Sequence, residues 1–181
     1  MMEKIKILDI GCGIDKFEIN DPECSIIGLD VSRKSHADVL GDATKLPFKD
    51  NSFEKILAIQ LIEHLIEYEQ FVEECSRVLK KDGMIHLETP NKKSLFNMIF
   101  RTYYKKGLQK YDDSNIHRKI FCEEELIRLL KKNKLSIEKS NTVPFQFGLY
   151  IYNFTVIPRK ILCFLLPRKL RENIVIECRK E

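Results

Sequence analysis

The sequence predicts an α/β protein with a mostly parallel sheet, and three observations support this fold class. Strand-like and helix-like segments alternate along the chain. The early strand-like runs are rich in Ile and Leu, as expected of parallel strands that are buried on both faces. The first run ends in Ile-Gly-Cys-Gly at residues 10–13, where glycines let a ligand approach the backbone closely.

Seven strands and two helices are predicted from the spacing of apolar residues. The strand-like runs span residues 5–10, 25–30, 37–41, 53–60, 84–89, 135–140 and 173–178. Residues 63–81 carry apolar side chains at helical spacing and stop at Asp82-Gly83, which is typical of a helix C-terminus. Residues 122–132 repeat the helical pattern, with Glu125 three residues after Cys122 in the position of a capping-box acid.

The connections between the first three strands are short. Residues 14–24 and 31–36 separate them, whereas a right-handed crossover takes about a dozen residues including its helix. The N-terminal helices are therefore predicted to be reduced, so that one face of the sheet needs another cover.

A candidate for this cover is the apolar segment at residues 143–166, which prolines and an Arg-Lys pair interrupt. Its longest uncharged part is too short to cross a bilayer as a helix. It can cover the sheet, form a contact in a homodimer, or touch a membrane surface peripherally, and the sequence leaves all three open.

Composition indicates one soluble domain. The chain has 181 residues, of which 44% are hydrophobic and 32% are charged. Its six cysteines include no Cys-x-x-Cys pair, so reduced thiols are predicted rather than a zinc site or a disulfide framework. The N-terminus runs directly into a strand without the pattern of a signal peptide, and we expect a cytoplasmic protein.

Charge is unevenly distributed along the chain. Residues 1–90 hold 11 basic and 18 acidic residues, whereas residues 91–181 hold 20 and 9. Solvated faces are one interpretation, and a basic half that attracts an anionic substrate, nucleic acid or lipid headgroups is another. The chain has no Asn/Asp-Pro-Pro-Tyr/Phe motif of the kind used in nucleic-acid methylation, so no nucleic-acid partner is expected.

A nucleoside site is predicted at the carboxyl ends of the early strands. The loop Gly11-Cys12-Gly13 allows close approach of a ligand to the backbone. Asp30 ends the second strand, where a carboxylate can accept hydrogen bonds from vicinal ribose hydroxyls. Asp42 can accept from an exocyclic amine of a base while the Ala43 backbone N–H donates to a ring nitrogen, and Asp9 can orient an ammonium group.

A dinucleotide fits this site poorly. Lys16 occupies the third glycine position of the Gly-x-Gly-x-x-Gly fingerprint, and the helix that would hold a pyrophosphate is weak or absent. A nicotinamide-dependent dehydrogenase is therefore disfavoured. A nucleoside ligand without phosphates, such as S-adenosylmethionine, fits better.

An ordered series of motifs resembles class I S-adenosylmethionine-dependent methyltransferases, in the small-molecule branch (methyltransferase type 11-like) that includes quinone-biosynthesis enzymes. The resemblance is dense over residues 5–91 and looser over residues 117–126. Its motifs are Leu8-Asp9-Ile10-Gly11-Cys12-Gly13, Gly28-Leu29-Asp30-Val31-Ser32, the run from Gly41-Asp42-Ala43 to Phe53-Glu54, Gln60-Leu61-Ile62-Glu63-His64-Leu65 and Arg77-Val78-Leu79-Lys80-Lys81-Asp82-Gly83.

The resemblance implies a Rossmann-like sheet of seven strands, mostly parallel, whose antiparallel last strand is placed at Asn173–Cys178. It implies a single methyltransferase domain over residues 1–181, with a cofactor-binding half at 1–91, a substrate and cover region at 92–172 and the final strand at 173–181. The implied cofactor is S-adenosyl-L-methionine. Its predicted binding residues are Asp9, Gly11, Cys12, Gly13, Asp30, Val31, Asp42, Ala43 and Gln60.

Two departures from the family pattern stand out. Position 15 is Asp where the family loop usually has a third glycine. Some quinone O-methyltransferases carry Glu-x-x-Glu-His as a metal site, and here Gln60 replaces the first Glu, which leaves Glu63 and His64. We therefore expect no obligatory metal.

Two histidines are candidates for the catalytic base. The sulfonium of the cofactor is already activated, so the protein must mainly align the acceptor and exclude water. A hydroxyl acceptor also needs a base, and histidine suits neutral pH. His64 follows the fourth strand and His117 precedes the second helix, whereas His36 and His86 are interpreted as incidental.

The predicted function is methyl transfer from S-adenosylmethionine to a small-molecule or lipid-like acceptor, at oxygen. Residues 92–121 and 143–172 are predicted to shape the acceptor pocket. A catalytically silent domain that binds S-adenosylmethionine or a partner is the alternative from another class, since the N-terminal helices are reduced.

Overall fold

A computed structural model describes residues 4–14, 16, 18, 21–94, 117–143 and 173–181. These residues form one seven-stranded sheet with the strand order β3-β2-β1-β4-β5-β7-β6. The strands are β1 (Ile5–Ile10), β2 (Cys24–Asp30), β3 (Val39–Leu40), β4 (Phe53–Ile59), β5 (Leu79–Pro90), β6 (Leu135–Val143) and β7 (Asn173–Lys180).

Strand pairing confirms the predicted topology. The first five strands run parallel, and β7 lies antiparallel between β5 and β6. Leu29 of β2 and Ala58 of β4 both pair with Ile10 of β1. The carboxyl ends of these strands therefore meet at one edge of the sheet, which is where open α/β sheets bind ligands.

Two helices cover one face of the sheet. They are α1 (Tyr68–Val78) and α2 (Glu123–Lys132), and their buried residues join one core with alternate side chains of the strands. Fully buried members of this core include Leu8, Ile56, Phe71, Leu87, Leu126 and Ile176. Burial of this apolar surface holds the helices against the sheet.

The helix predicted for residues 63–81 is shorter than the spacing indicates. Ile62–His64 form a single 3-10 turn, and the chain enters β5 directly after Val78. Phe53 pairs with Leu79, so sheet hydrogen bonding replaces the last predicted helical turn. Asp82 adopts a φ of 60° inside β5, at an irregularity in the pairing with β4, and does not cap a helix.

The second face of the sheet carries both apolar and polar side chains. Ile7 and Leu57 are buried on it, as the prediction of a two-sided apolar sheet requires. On β5 and β7 this face also carries polar side chains, and His86 Nδ1 lies 3.6 Å from Glu177 Oε1. The second face is therefore less uniformly apolar than the face that the helices cover.

Reduced N-terminal helices are confirmed over the described part of the chain, where no helix lies between β1 and β2 or between β2 and β3. Ile14 and Val31, in these connections, are 63% and 79% exposed. The segment at 144–172 lies outside the described residues, so its three proposed uses stay predictions. Among the described helices, none combines the length and apolar character needed to cross a bilayer.

Hydrogen bonds from Arg77 of α1 hold the loop between β3 and β4, and we call this set of bonds the Arg77 clasp. The Arg77 guanidinium donates to the backbone oxygens of Leu46 (3.0 Å) and Phe48 (2.8 Å) and to Asp50 Oδ1 (2.7 Å). Glu74 accepts two hydrogen bonds from Arg77 and a third from the Leu46 backbone N–H. Arg77 consequently holds the pKa of the Glu74 carboxyl below its usual value.

We expect Arg77→Ala to lower the free energy of unfolding by about 2 kcal/mol, because three loop acceptors and Glu74 lose a charged donor. Urea denaturation measures this difference. Arg128→Ala, which removes an exposed arginine from α2, is the matched control and should change stability little. An unchanged midpoint for Arg77→Ala would show that the clasp contributes nothing.

Candidate functional site

A glycine turn follows β1 at the carboxyl edge of the sheet. Gly11 and Gly13 have φ angles of 72° and 58°, a region that favours glycine. The backbone N–H groups of Gly11 and Cys12 donate to the Leu29 carbonyl, at 2.7 and 3.3 Å. A Cβ on Gly11 would lie 2.9 Å from Leu61 Cδ1, so the turn packs directly against the segment that follows β4.

Asp30, the last residue of β2, joins this turn. Its Oδ2 accepts a hydrogen bond from the Gly13 backbone N–H at 2.9 Å, and its Oδ1 accepts from Ser32 N–H at 2.7 Å. A carboxylate has about four acceptor positions, so each oxygen can still accept a hydroxyl. The carboxylate is therefore held in place with capacity left for a ligand.

Asp42 and Ala43 follow β3. Asp42 Oδ1 accepts from the backbone N–H and the hydroxyl of Thr44, both at 2.8 Å, and these bonds lower the pKa of Asp42. Within the described part of the chain, no hydrogen bond reaches the second oxygen, Oδ2. Ala43 is buried beside it, with 8% of its surface exposed.

The remaining predicted cofactor residues lie at the same edge. Asp9 is buried near the end of β1, and Cys12 is buried within the glycine turn. Gln60 follows β4 with a φ of 52°, and its Nε2 is buried without a hydrogen-bond partner among the described residues. Val31 follows Asp30 and is exposed. The structure thus brings all nine predicted residues to the carboxyl ends of β1 to β4.

Three titratable side chains, Glu63, His64 and His117, lie close together near the turn that follows Gln60. The His64 and His117 rings pack edge to face, with centroids 4.9 Å apart and an interplanar angle of 73°. Glu63 Oε1 lies 4.0 Å from His64 Nε2. One nitrogen or oxygen from each of Glu63, His64 and His117 falls within 4.8 Å of the others. The two histidines predicted separately as bases therefore belong to one cluster.

Burial shifts the pKa of two members of this cluster, Glu63 and His117. Glu63 is fully buried, and burial raises the pKa of its carboxyl to about 7 even though Thr89 Oγ1 donates to Oε2 at 2.9 Å. His117 is exposed as a residue, but partial burial of its ring, with a smaller effect of His64, lowers the pKa of its imidazole. Burial thus favours the neutral imidazole of His117, which is the form that a base needs.

Two contributions were not expected from the sequence. His36, interpreted as incidental, donates its backbone N–H to the Gly13 carbonyl at 2.9 Å and so braces the glycine turn. Thr89 contacts Glu63 from β5, at a separation of 26 residues that no local pattern reveals. The absence of an obligatory metal stays a prediction.

We expect Gly11→Ala to weaken binding of S-adenosylmethionine, the ligand implied by the resemblance, by at least about tenfold and to lower thermal stability. Its Cβ would meet Leu61, and a residue with a side chain resists this φ. Gly13→Ala is the matched control, since its φ is also positive but no atom lies within 4 Å of the added Cβ. Calorimetry on both variants measures the difference, and equal losses would exclude the Leu61 contact as the cause.

Comparison with known proteins identifies the family of this chain. The family model described as a methyltransferase domain matches residues 8–87. The ubiquinone biosynthesis O-methyltransferase of Pelagibacter ubique is 30% identical over 165 residues, which cover 80% of this chain and 67% of the relative. A sterol 24-C-methyltransferase of Gibberella zeae is 32% identical over 99 residues, which cover 44% of this chain and 26% of the relative.

Solved structures share the fold. A crystal structure of an S-adenosylmethionine-dependent methyltransferase from Thermotoga maritima matches with a TM-score of 0.68 and 19% identity, and the match covers 100% of this chain and 84% of that one. With the length and identity of the match to the Pelagibacter protein, the family is established. The chain belongs to the class I S-adenosylmethionine-dependent methyltransferases, and S-adenosylmethionine is its cofactor.

Proposed function

We propose that this enzyme transfers the methyl group to a hydroxyl oxygen of a small-molecule, lipid-like acceptor. The proposal rests on the edge-to-face contact between the rings of His64 and His117. His64 lies in the turn that follows β4. Leu61, three residues before His64, contacts the glycine turn, so the pair borders the cofactor edge. The relatives named for ubiquinone biosynthesis and for sterol methylation support an apolar acceptor.

The cofactor is held, in this proposal, by the edge described above. Asp30 accepts from the ribose hydroxyls, and Asp42 Oδ2 accepts from the adenine amine while the Ala43 N–H donates to a ring nitrogen. The free capacity of both carboxylates supports these roles. Asp9 orients the ammonium group, directly or through water. When bound, the cofactor supplies an electrophilic methyl group on a sulfonium.

The protein contributes alignment, exclusion of water and one proton acceptor. His64 or His117 takes the acceptor's hydroxyl proton, so that the oxygen lone pair can attack the methyl carbon in line with the bond to sulfur. We place the enzyme in the cytoplasm. The expectation that residues 92–121 and 143–172 shape the acceptor pocket falls mostly on residues outside the described part of the chain and stays a prediction. A domain that binds the cofactor without turnover remains the alternative outcome of the tests below.

Asp30→Ala and Asp42→Ala should each weaken S-adenosylmethionine binding by about tenfold to a hundredfold, because each removes a charged acceptor worth roughly 1.5–3 kcal/mol. Isothermal calorimetry measures the affinities. Asp21→Ala, an exposed aspartate before β2 at the opposite end of the strand, should bind like wild type. Wild-type affinity in both site variants would remove the two aspartates from the cofactor site.

His64→Ala should lower kcat by about a hundredfold, the contribution of a single general base, with S-adenosylmethionine affinity unchanged. His117→Ala should lower kcat by roughly tenfold, since its ring supports that of His64. Formation of S-adenosylhomocysteine with a panel of phenols, hydroxyquinones and sterols measures turnover. His86→Ala, on the second face of the sheet, is the control.

If both site variants retain full turnover, the assignment of the base is wrong. If wild type binds S-adenosylmethionine but forms no S-adenosylhomocysteine with any acceptor, the silent-domain alternative is favoured.

A further inference from the structure

The buried carboxyl of Glu63 has one oxygen without a hydrogen-bond partner among the described residues. The side chain is fully buried between the 3-10 turn and β5. Thr89 Oγ1 donates to Oε2, whereas Oε1 is buried without a hydrogen-bond partner among the described residues. Leaving a buried polar atom unpaired is costly, so such an atom calls for an explanation in function.

His64 is the candidate partner for this unpaired oxygen. His64 Nε2 is 4.0 Å from Glu63 Oε1, and a shift of about 1 Å would bring the two atoms to hydrogen-bonding distance. The His64 side chain is 30% exposed, so its ring also has a side that a ligand can reach. His64 is thus placed between a buried carboxyl and an accessible site.

The backbone of Glu63 also fixes the second histidine. Its carbonyl accepts from the backbone N–H groups of Arg118 (2.7 Å) and Lys119 (3.1 Å). These bonds bind the segment beginning at His117 to the turn that carries His64. The Glu63 carbonyl therefore ties the segment that follows His117 to the turn that carries His64.

We propose that Glu63 is the positioning residue for His64 in methyl transfer: Oε1 accepts a hydrogen bond from His64 Nε2–H, which leaves the lone pair of Nδ1 directed at the acceptor hydroxyl. This inference rests on the proposed function.

In the reaction, the acceptor O–H bond breaks and an N–H bond forms at Nδ1. The electron pair of the O–H bond stays on the acceptor oxygen, which bonds to the methyl carbon. The carbon–sulfur bond breaks with its electrons on sulfur.

The Glu63 carboxylate then faces a protonated imidazole inside the protein. An ion pair formed during the reaction stabilises the charge that develops on the base, as the carboxylate does in an Asp-His-nucleophile arrangement. The other groups that face Glu63 are Thr89, His117 and Glu88. Glu63 acts in its ionised form, so that no proton has to leave it when His64 takes the proton of the acceptor.

Glu63→Gln tests the proposal. We expect kcat to fall by about a hundredfold with little change in KM for either substrate, because the amide cannot pair with the imidazolium. Glu177→Gln is the matched control, since it removes the carboxylate beside His86 on the second face and should leave kcat unchanged. Unchanged kcat in Glu63→Gln would overturn the proposal.

Stability separates a positioning role from a structural one. Glu63→Gln keeps the size of the side chain and an oxygen that can accept from Thr89, so its melting temperature should stay within a few degrees of wild type. A much lower melting temperature would indicate a structural role and overturn the proposal.

Imidazole NMR tests the pairing without any acceptor. The ring signals of His64 should shift in Glu63→Gln, because the hydrogen-bond partner of Nε2 changes, while Glu177→Gln should shift only those of His86. This result can hold even if no acceptor in the panel is methylated, so failure of the proposed function and failure of the pairing are distinguishable. Unchanged His64 ring signals in Glu63→Gln would overturn the pairing.

Two further outcomes are decisive. If EDTA abolishes wild-type turnover and Mg²⁺ or Zn²⁺ restores it, the Glu63 carboxylate serves a cation and the proposal fails. If Glu63→Gln does not fold, Thr89→Val takes its place, since it frees Oε2 while keeping the carboxylate. A fall in kcat with unchanged KM would then support the pairing, and wild-type kinetics would contradict it.

Discussion

The hydrogen bond from the Gly13 backbone N–H to Asp30 Oδ2 joins the glycine turn to the carboxylate that ends β2. Gly13 belongs to the turn after β1 and Asp30 ends β2, so the bond joins two strand ends that pairing has already placed side by side. The turn in addition packs on Leu61 after β4. Parallel pairing of three strands thus supports both the nucleoside edge and the position of the histidine cluster beyond it.

The sheet that supports this edge is asymmetric. Both described helices pack on one face, while the other face carries the polar pair of His86 and Glu177 on β5 and β7. Within the described residues, the short connections around β2 add no helix to that second face. The Arg77 clasp holds the loop between β3 and β4 through hydrogen bonds to its backbone.

The burial of Glu63 lowers the stability of the fold, and it also places a carboxyl beside the histidines of the site. A fully buried carboxyl with one unpaired oxygen among the described residues destabilises the fold, and burial raises its pKa to about 7. The same burial strengthens the electrostatic interaction that the carboxyl can make with the His64 ring, whose nearest nitrogen lies 4.0 Å away. Groups with strongly shifted pKa values concentrate at functional sites for this reason.

The sequence by itself determined the strand series and, through the resemblance, the antiparallel last strand, because these depend on short motifs and on periodicity within one segment. It also predicted which residues lie at the carboxyl edge of β1 to β4, since the glycine turn and the aspartates lie at or near the ends of their strands. Only the tertiary structure decided that His64 and His117 share one cluster, that Thr89 holds Glu63, and that Leu79 pairs in the sheet and ends α1 early. Each of these depends on contacts between residues 26 or more positions apart. Local propensity carries no information about such contacts, since only packing of the whole sheet brings the segments together.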